Sequence, residues 1–463
     1  MQYISTRGGM SKINFKDTVF EGLAPDGGLI VPEKIPELSE KEIKKLRKLN
    51  YQELALKIFK YFVSDIKEEE LKEIIEKAYK TFRVKEITPV VKAGDVYILE
   101  LFHGPTWAFK DIALQFLGVL FEKLLLETNK KINIIGATSG DTGSAAIYGV
   151  RGKKNIAIFI LHPYKKISEI QALMMTTVTD PNVYNLAIEG TFDDCQAIVK
   201  TLFVDLEFKR KYRLTTVNSI NWARIMAQMI YYFWSYFRVS EIENCESVRV
   251  SVPTGNFGNI FAGYLVRKML GKKRIERLIL ATNENDILCR FVNNGDYSLK
   301  EVKSTISPSM DIQVASNFER YLYYFYKEDA QKIKKIMERF AKEKTLKFTK
   351  NEIKEIQEDF FSASVNQKET LETIRDFYKK TGYILDPHTA VGVRAGLKFK
   401  ENYPLICLAT AHPAKFPDTV SEALGFPIKL PKEIERLYNL PQNFEILPAD
   451  VEKTKTFISQ KAI

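Results

Sequence analysis

A lysine at the start of a helical pattern is the first candidate for chemistry in this chain. Lys110 stands in LELFHGPTWAFKDIALQF, where Phe102, Trp107 and Phe109 give it an aromatic surrounding just after a β-like run. The helix dipole disfavours a cation at this position, and aromatic neighbours remove the amine from water, so the pKa of such a lysine falls. A free amine near neutral pH can form a Schiff base or abstract a proton from carbon. On position alone, a solvated lysine is still the commoner outcome.

A second segment, SVPTGNFGNIFAG, has the pattern of an anion-binding turn. Gly255 and Gly258 allow positive φ and a close approach of the backbone, and Asn256 and Asn259 add side-chain donors. Backbone N–H groups at a turn that opens a helix can hold a phosphate group. The same pattern also suits a plain strand-to-helix connection, and the residues alone leave both interpretations open.

The third segment, IIGATSGDTGSAAIYG, gathers hydroxyls and one carboxylate around Gly140 before a helix of small residues; these are Thr138, Ser139, Asp141 and Thr142. A helix N-cap explains one or two of the hydroxyls. The others, with the backbone amides of the helix start, suit a substrate carboxylate. Cap and binding site both remain open for this segment.

Together the three segments supply an amine, a phosphate cradle and a carboxylate site on loops that follow apolar runs. In α/β sheets, ligands bind at the carboxyl ends of the strands. A cofactor that carries both an aldehyde and a phosphate would use all three segments.

The elements around these loops predict an α/β fold. From Val96 onward, short apolar runs such as VYILEL, KINIIGAT and NIAIFILH alternate with helical patterns, and the alternation resumes with RVSVPTG, RLILATN and LICLAT. This order favours two parallel sheets covered by helices. We predict a helical cap domain at 1–88, an α/β domain with Lys110 and the carboxylate loop at 89–245, and an α/β domain with the phosphate loop and a charged helical insertion at 246–463.

Composition restricts the class of protein. With 463 residues, 45% apolar and 27% charged, the chain is an ordinary globular protein with room for a buried cleft. The formal charge is +11, but the heaviest charge runs mix both signs at helical spacing, and no cluster of basic residues is interleaved with exposed aromatics, so we expect no nucleic-acid partner. The four cysteines form no CxxC pair, which indicates neither a metal site nor a disulfide framework. No secretory leader or membrane-spanning run is visible, and we expect a cytoplasmic protein without a membrane partner.

The residues also match a known family. The chain resembles threonine synthase, a pyridoxal 5'-phosphate (PLP) enzyme of fold type II, and more closely its longer fungal and bacterial form. The resemblance extends over nearly the whole chain and is carried by YISTRGG, GLAPDGGLIVP, FHGPTWAFKD, GATSGDTGSAA, LHPYKKISEIQALMMTT, NLAIEGTFDDCQAIVK, VNSINWARI, SVPTGNFGNIFAG, SPSMDIQVASNFER, LDPHTAVG and ATAHPAKFPDTV. So many segments in the family's order are a specific signal.

The resemblance implies roles for particular residues. Lys110 would be the Schiff-base lysine, and the PLP phosphate loop would be formed by Gly255, Asn256, Phe257, Gly258 and Asn259. The hydroxyl of Thr410 would face the pyridine nitrogen and, unlike a carboxylate, would not hold the ring protonated. Asp141 departs from the more general fold-type-II pattern, which has Asn near the cofactor O3′, and its role stays open.

The implied substrate is O-phospho-L-homoserine, and the implied products are L-threonine and phosphate. Cationic and polar residues of the matched segments are candidates for binding the departing phosphate, namely Lys166, Ser168, Asn218, Arg224 and Arg7. A solvated surface charge is the alternative for Lys166, and a structural ion pair is the alternative for Arg224.

Two rival functions remain. Another fold-type-II enzyme, such as a hydroxy-amino-acid dehydratase or a phospholyase that releases a keto acid, would use the same cofactor residues. A basic, PLP-free scaffold or RNA-binding protein would use only the charge. Monomer and homodimer are both compatible with the sequence.

The remaining conspicuous residues are expected to be structural: His103 and His412 as hydrogen-bonded loop residues, Asp386 as an N-cap, and 231–237 as core.

Overall fold

The computed structural model describes residues 1–463 and contains fifteen strands and twenty α-helices. The strands, in chain order, are β1 Tyr3–Ser5, β2 Ile30–Pro32, β3 Val90–Ala93, β4 Val96–Glu100, β5 Ile132–Ala137, β6 Ile156–Pro163, β7 Val183–Glu189, β8 Leu214–Thr215, β9 Val248–Pro253, β10 Ile275–Thr282, β11 Asp296–Ser298, β12 Thr345–Lys347, β13 Phe360–Ser364, β14 Leu405–Ala409 and β15 Glu445–Pro448.

The helices are α1 Phe15–Glu21, α2 Glu40–Leu46, α3 Tyr51–Phe59, α4 Glu68–Tyr79, α5 Lys110–Thr128, α6 Asp141–Val150, α7 Glu169–Thr176, α8 Phe192–Val204, α9 Leu206–Lys211, α10 Trp222–Ile242, α11 Gly258–Leu270, α12 Ile287–Asn294, α13 Phe318–Phe325, α14 Ala330–Glu343, α15 Lys350–Asp359, α16 Gln367–Thr381, α17 Pro387–Lys398, α18 Pro417–Leu424, α19 Lys432–Glu435 and α20 Val451–Lys461. Short 3₁₀ turns occupy Pro308–Met310, Pro413–Lys415 and Arg436–Asn439. No helix combines the length and the hydrophobicity that a transmembrane segment requires.

The larger sheet has six strands in the order β13-β10-β9-β14-β4-β3. All are parallel except the edge strand β3, which runs antiparallel to β4. Every residue of β9 and β14 is buried, because helices cover both faces of the sheet. This explains why these strands are continuous apolar runs in the sequence.

The smaller sheet has five parallel strands in the order β15-β7-β6-β5-β8. Strand β6 at its centre is buried over its whole length. The predicted α/β class with two sheets built on parallel strands is therefore confirmed.

Strand pairing crosses the predicted domain boundaries. β3 and β4 fall within 89–245 but pair in the larger sheet with strands from 248–409, and β15 falls within 246–463 but pairs with β7 of the smaller sheet. Lys110 therefore follows a strand of the larger sheet. The residue pattern along the chain predicts where helices and strands begin and end. The sheet that a strand joins depends instead on contacts between residues far apart in sequence.

The N-terminal segment packs as α1 to α4 with a short antiparallel pair, β1 and β2. Little in the residue pattern indicated these two strands, which are only three residues each. Helix α3 buries Leu54, Ile58 and Phe59, and the Phe59 ring lies 4.8 Å from that of Phe116 in α5. The segment therefore shares one continuous core with the helices that flank the larger sheet.

The helical insertion, predicted at 311–376, also contains two strands, β12 and β13. β13 follows α15 and forms the edge of the larger sheet beside β10. The aromatic run of α13 is largely buried, with Tyr321 fully enclosed. The run 231–237 in α10 is likewise buried, which confirms its interpretation as core.

Helices α5 and α6 approach each other closely at two glycines. A Cβ atom added at Gly118 would overlap the carbonyl oxygen of Gly149, and one added at Gly149 would lie 2.5 Å from the carbonyl oxygen of Leu114. Backbone atoms cannot move aside as side-chain ends can, because close-packed interiors transmit strain. Since α5 and α6 begin at Lys110 and Asp141, this contact fixes the distance between the helices that carry them.

We expect Gly118→Ala to lower the free energy of unfolding by about 3 kcal/mol, since overpacking against rigid backbone forces the two helices apart. The midpoint of urea unfolding of the purified variant measures this. Gly136→Ala is the matched control, because its added Cβ would meet only the Ile160 side chain, at 3.6 Å. Equal midpoints for the two variants would contradict the close contact.

Candidate active site

Three adjacent strands of the larger sheet bring the cofactor candidates to one edge. β9, β14 and β4 are parallel neighbours, so their carboxyl ends lie side by side. β4 leads to Lys110, β14 leads to Thr410, and β9 leads to the loop 254–257. The backbone N–H of Phe109 donates to the carbonyl of Thr410 at 2.8 Å, which ties the lysine and threonine segments together.

Lys110 is the first residue of α5, and its side chain is half-buried. Burial lowers the pKa of Lys110 to about 8; the nearby Asp141 carboxylate opposes this shift, and the charges of Arg224 and Lys415 strengthen it. The amine lies 5.8 Å from the centre of the Phe109 ring. The predicted surrounding of a lysine with a lowered pKa is therefore present, although buried cations contribute to it as well as aromatic residues.

The lowered pKa predicts an unusual reactivity for Lys110. In protein without cofactor, we expect the rate of Lys110 acetylation to rise with pH to a midpoint near 8, because only the unprotonated amine reacts. An ordinary lysine reaches its midpoint about two units higher. Acetylation across a pH series, read at the Lys110 peptide by mass spectrometry, measures this. A midpoint above 10 would show that the amine is not desolvated.

The loop 255–259 has the shape of an anion cradle. Phe257 adopts a left-handed backbone conformation with φ of 63°, and no side chain caps the start of α11. The backbone N–H groups of Gly255, Asn256, Gly258 and Asn259 have no acceptor within the chain. A Cβ at Gly255 would lie 2.7 Å from the Ser309 carbonyl oxygen, so only glycine fits there. Free amides at a helix start are suited to a phosphate.

Two residues of this loop anchor it rather than line it. The Phe257 ring packs in an aromatic cluster with Phe318, Tyr321 and Phe360, at centroid distances of 5.8 to 5.9 Å. The Asn259 Oδ1 accepts hydrogen bonds from the hydroxyl groups of Tyr231 and Tyr232, while its buried Nδ2 has no partner. Asn256 is exposed.

In the carboxylate loop, the hydroxyls divide between two uses. Thr138 Oγ1 accepts hydrogen bonds from the backbone N–H groups of Gly140 and Gly143, at 3.0 and 2.9 Å, so this hydroxyl caps the loop. Ser139 and Thr142 are half-buried and their hydroxyls make no hydrogen bond to protein atoms. The cap interpretation therefore fits Thr138, and the available hydroxyls are those of Ser139 and Thr142.

Asp141 belongs to a buried ion pair. Its Oδ1 lies 2.7 Å from the Nζ of Lys415 and accepts a hydrogen bond from Gln171 Nε2 at 2.8 Å. Burial raises the pKa of Asp141, but the charges of Lys415 and Lys110 outweigh it and hold that pKa well below its usual range. Asp141 is therefore ionised at neutral pH and does not serve as a simple helix cap.

The candidates for binding a leaving phosphate differ sharply in their surroundings. Arg224 is buried and donates from Nη1 to the Val217 carbonyl at 2.7 Å, while its Nε has no partner. Burial lowers the pKa of Arg224 to about 10, and no carboxylate acts on the guanidinium. The alternative of a structural ion pair is therefore excluded for Arg224, which remains a buried cation without a counter-ion.

The other candidates have different environments. Lys166 and Asn218 are exposed. Ser168 accepts from the backbone N–H of Gln171 as the N-cap of α7, and its Oγ donates to the Lys415 carbonyl at 3.3 Å. Arg7 is already paired with Glu319 at 2.8 Å, so its charge is neutralised within the protein.

The residues expected to be structural have the expected partners. His103 Nε2 lies 2.7 Å from the Glu100 carboxylate. His412 Nδ1 accepts from the backbone N–H of Ala414, and burial lowers the pKa of His412 to about 4. Asp386 caps the start of α17 by accepting from the backbone N–H groups of His388 and Thr389. These interpretations are confirmed.

Sequence reasoning missed two residues beside the site. Lys415 is fully buried, and Gln171 contacts Asp141. The segment HPAKFP places Lys415 among prolines and aromatic residues shortly after β14, which is a weak signal that its ammonium is not solvated. Nothing local to Gln171 indicated its contact with a residue thirty positions away.

The residues of the site, taken together, match the chemical groups of PLP. Lys110 supplies an amine with a lowered pKa, and the free amides of the 255–259 loop supply a phosphate cradle at the same sheet edge. Thr410 is buried where β14 ends, next to the lysine segment, and offers a neutral hydroxyl. An aldehyde, a phosphate and a ring nitrogen thus each have a chemically suitable partner.

Comparison with known proteins agrees with this fit. Family models match in chain order: "Threonine synthase N terminus" over 2–79, "Pyridoxal-phosphate dependent enzyme" over 81–347 and "Threonine synthase, C-terminal" over 389–458. The chain is 44% identical to threonine synthase of Pseudomonas aeruginosa, over 99% of this chain and 98% of that one. It is 46% identical to threonine synthase of Saccharomyces cerevisiae, with the same coverage. The crystal structure of PLP-bound threonine synthase from Brucella melitensis superposes with a TM-score of 0.95 at 40% identity, covering 100% of this chain and 99% of that one.

Proposed function

The chain belongs to the threonine synthase family of PLP-dependent enzymes, and we propose that it converts O-phospho-L-homoserine and water into L-threonine and phosphate at the site around Lys110. The resemblance predicted from the sequence is confirmed. A non-catalytic, PLP-free scaffold is therefore not retained. The observation that carries the site assignment is that the Lys110 amine and the uncapped start of α11 both follow strands that end at the same edge of the larger sheet.

Lys110 is proposed as the cofactor lysine and as the group that moves protons. PLP, when bound, supplies an electron-withdrawing ring that makes protons on the carbons of a bound amino acid acidic. The Lys110 amine can accept the α-proton and then a β-proton, because a pKa near 8 lets it lose and regain protons close to neutral pH. Loss of the β-proton allows phosphate to leave from the γ-carbon. The oxygen of water then adds at the β-carbon, and the three protons taken from the α-carbon, the β-carbon and water end on the γ-carbon, the α-carbon and the phosphate.

The protein's other residues would bind and orient the cofactor and the substrate. The free amides of Gly255, Asn256, Gly258 and Asn259 would hold the cofactor phosphate, and the neutral Thr410 hydroxyl would be the partner of the ring nitrogen and would leave it unprotonated. The hydroxyls of Ser139 and Thr142, with the backbone N–H groups at the start of α6, are suited to the substrate carboxylate.

Arg224 is the strongest candidate for the substrate phosphate. A buried guanidinium without a carboxylate is unfavourable until an anion arrives, and phosphate matches its fork of donors. Its positive charge also contributes to lowering the pKa of Lys110. Lys166 and Asn218, which are exposed, and Ser168, which is half-buried, are proposed as additional polar contacts of the departing phosphate. Arg7 receives no role because Glu319 already neutralises it.

The test is a product assay with the purified holoenzyme. With O-phospho-L-homoserine, threonine and inorganic phosphate should appear in equal amounts, and neither serine nor threonine should be consumed at a comparable rate. Phosphate accompanied by a keto acid would move the enzyme to the phospholyase alternative. Deamination of serine or threonine as the main reaction would move it to the dehydratase alternative.

A further inference from the structure

Lys415 is a fully buried lysine that the proposed reaction does not use. It ends the 3₁₀ turn after β14, and its Nζ lies 2.7 Å from Asp141 Oδ1 and donates to the Thr106 carbonyl at 2.9 Å. Its side chain is 0% exposed and that of Asp141 is 4% exposed. Because Asp141 starts α6 after a strand of the smaller sheet, this ion pair joins the edges of the two sheets.

The two oxygens of Asp141 differ in their contacts. Oδ1 is occupied by Lys415 and by Gln171 Nε2. Oδ2 has only the Ser309 hydroxyl, at the long distance of 3.5 Å. The charged or titratable groups that act on the carboxylate are Lys415, Lys110 and His388. If Lys415 did not neutralise the carboxylate, Asp141 would therefore be available as a negatively charged partner for Lys110.

A free carboxylate at this position would work against the chemistry of Lys110. Asp141 raises the pKa of Lys110, whereas Arg224 and Lys415 lower it. An unneutralised carboxylate close to an amine favours the protonated amine. Lys110 would then be held as an ammonium ion, which can neither attach a cofactor nor accept a proton from carbon.

We propose that Lys415 is a positioning residue that neutralises Asp141 and so prevents Asp141 from becoming the counter-ion of Lys110. An Asp–Lys pair carries no net charge. The pair thus accounts for an acidic residue at position 141 beside a lysine that must lose its proton. The inference rests on Lys110 being the working amine of the proposed function.

The test measures the Lys110 amine in protein freed of cofactor. Acetylation of Lys110 is followed across a pH series by mass spectrometry, in wild type, Lys415→Met, Asp141→Asn and the double variant. In Lys415→Met, the pH midpoint for Lys110 should rise by about one to three units, since a positive neighbour is lost and Asp141 is released. In Asp141→Asn it should fall. The double variant should return to within about half a unit of wild type, because the two charge changes cancel.

The double variant separates this role from structural support. Lys415 also holds the Thr106 carbonyl in the loop that leads to Lys110, and both Lys415→Met and the double variant lose that bond. If support of the loop were the reason, both variants would behave alike. A Lys110 midpoint unchanged in Lys415→Met, or displaced equally in Lys415→Met and the double variant, overturns the proposal.

Arg267→Met is the matched control. Arg267 forms another buried ion pair, with Asp359 at 2.7 Å, near the end of α11 that lies away from the phosphate loop. Its loss should lower the thermal midpoint as loss of Lys415 does, without moving the Lys110 midpoint. If Lys415→Met does not fold, the fall in Asp141→Asn and the recovery in the double variant still decide the matter.

A readout on the holoenzyme separates this inference from the proposed function. The pH at which the visible absorbance of bound cofactor changes should rise in Lys415→Met. The Lys110 midpoints could move as expected while Lys110→Ala retains the visible absorbance of bound cofactor. In that case the electrostatic role of Lys415 is supported, and the assignment of Lys110 as the cofactor lysine is wrong.

Discussion

Replacing Lys110 with alanine is expected to lower kcat for threonine formation by at least about 10³-fold, because the variant lacks both the cofactor attachment and the proton acceptor. After dialysis, the variant should have lost its cofactor and should show no visible cofactor absorbance, whereas wild type should retain this absorbance. The side chain is half-buried and makes no ion pair, so the variant should fold normally and unfold at nearly the wild-type temperature.

The matched control for this variant lies in the same helix. Lys123→Ala removes an α5 lysine whose ammonium is 3.5 Å from the Glu70 carboxylate on the surface, and it should leave kcat within about twofold of wild type because such pairs contribute little. Retention of cofactor absorbance by Lys110→Ala after dialysis, together with normal turnover, would falsify the assignment of Lys110.

Replacing Arg224 with methionine is expected to reduce kcat/KM for O-phospho-L-homoserine by about 10²-fold or more, since a charge-assisted partner of the phosphate is lost. The thermal stability of the variant should not fall with its activity. Arg224 is a buried cation without a carboxylate, so its replacement by an apolar side chain should leave Tm equal to or above that of wild type.

Inorganic phosphate supplies the direct measurement for Arg224. A ligand that binds only the folded state raises Tm, and at about 100 times its Kd it adds about 2.7 kcal/mol. Phosphate should therefore stabilise cofactor-loaded wild type and have a much smaller effect on Arg224→Met.

Arg7→Met is the control for the Arg224 experiment. It breaks the pair with the buried Glu319 and should lower Tm while leaving the response to phosphate intact. A phosphate response that survives in Arg224→Met and disappears in Arg7→Met would transfer the role to the N-terminal segment.

Much of the fold and the centre of the site could be predicted from the sequence because they depend on local patterns. Alternating apolar runs and helical periods gave the α/β class, and the glycines of 255–259 gave a turn that opens a helix. Lys110 stands at a helix start because the helical period begins there. The family resemblance, carried by many segments in order, added the cofactor and the reaction class.

Other features depend on contacts between residues far apart in the chain, and only the tertiary structure decided them. β4 joins the sheet of β9 and β14, which lie more than 140 residues later, so Lys110 and the phosphate loop meet at one edge. Arg224 has no carboxylate partner, Thr138 caps its own loop, and Lys415 neutralises Asp141 across the two sheets. A sequence pattern records periodicity and turn chemistry over a few residues. Burial and charge pairing arise only when distant segments pack, and they determine which polar residues remain free for a ligand.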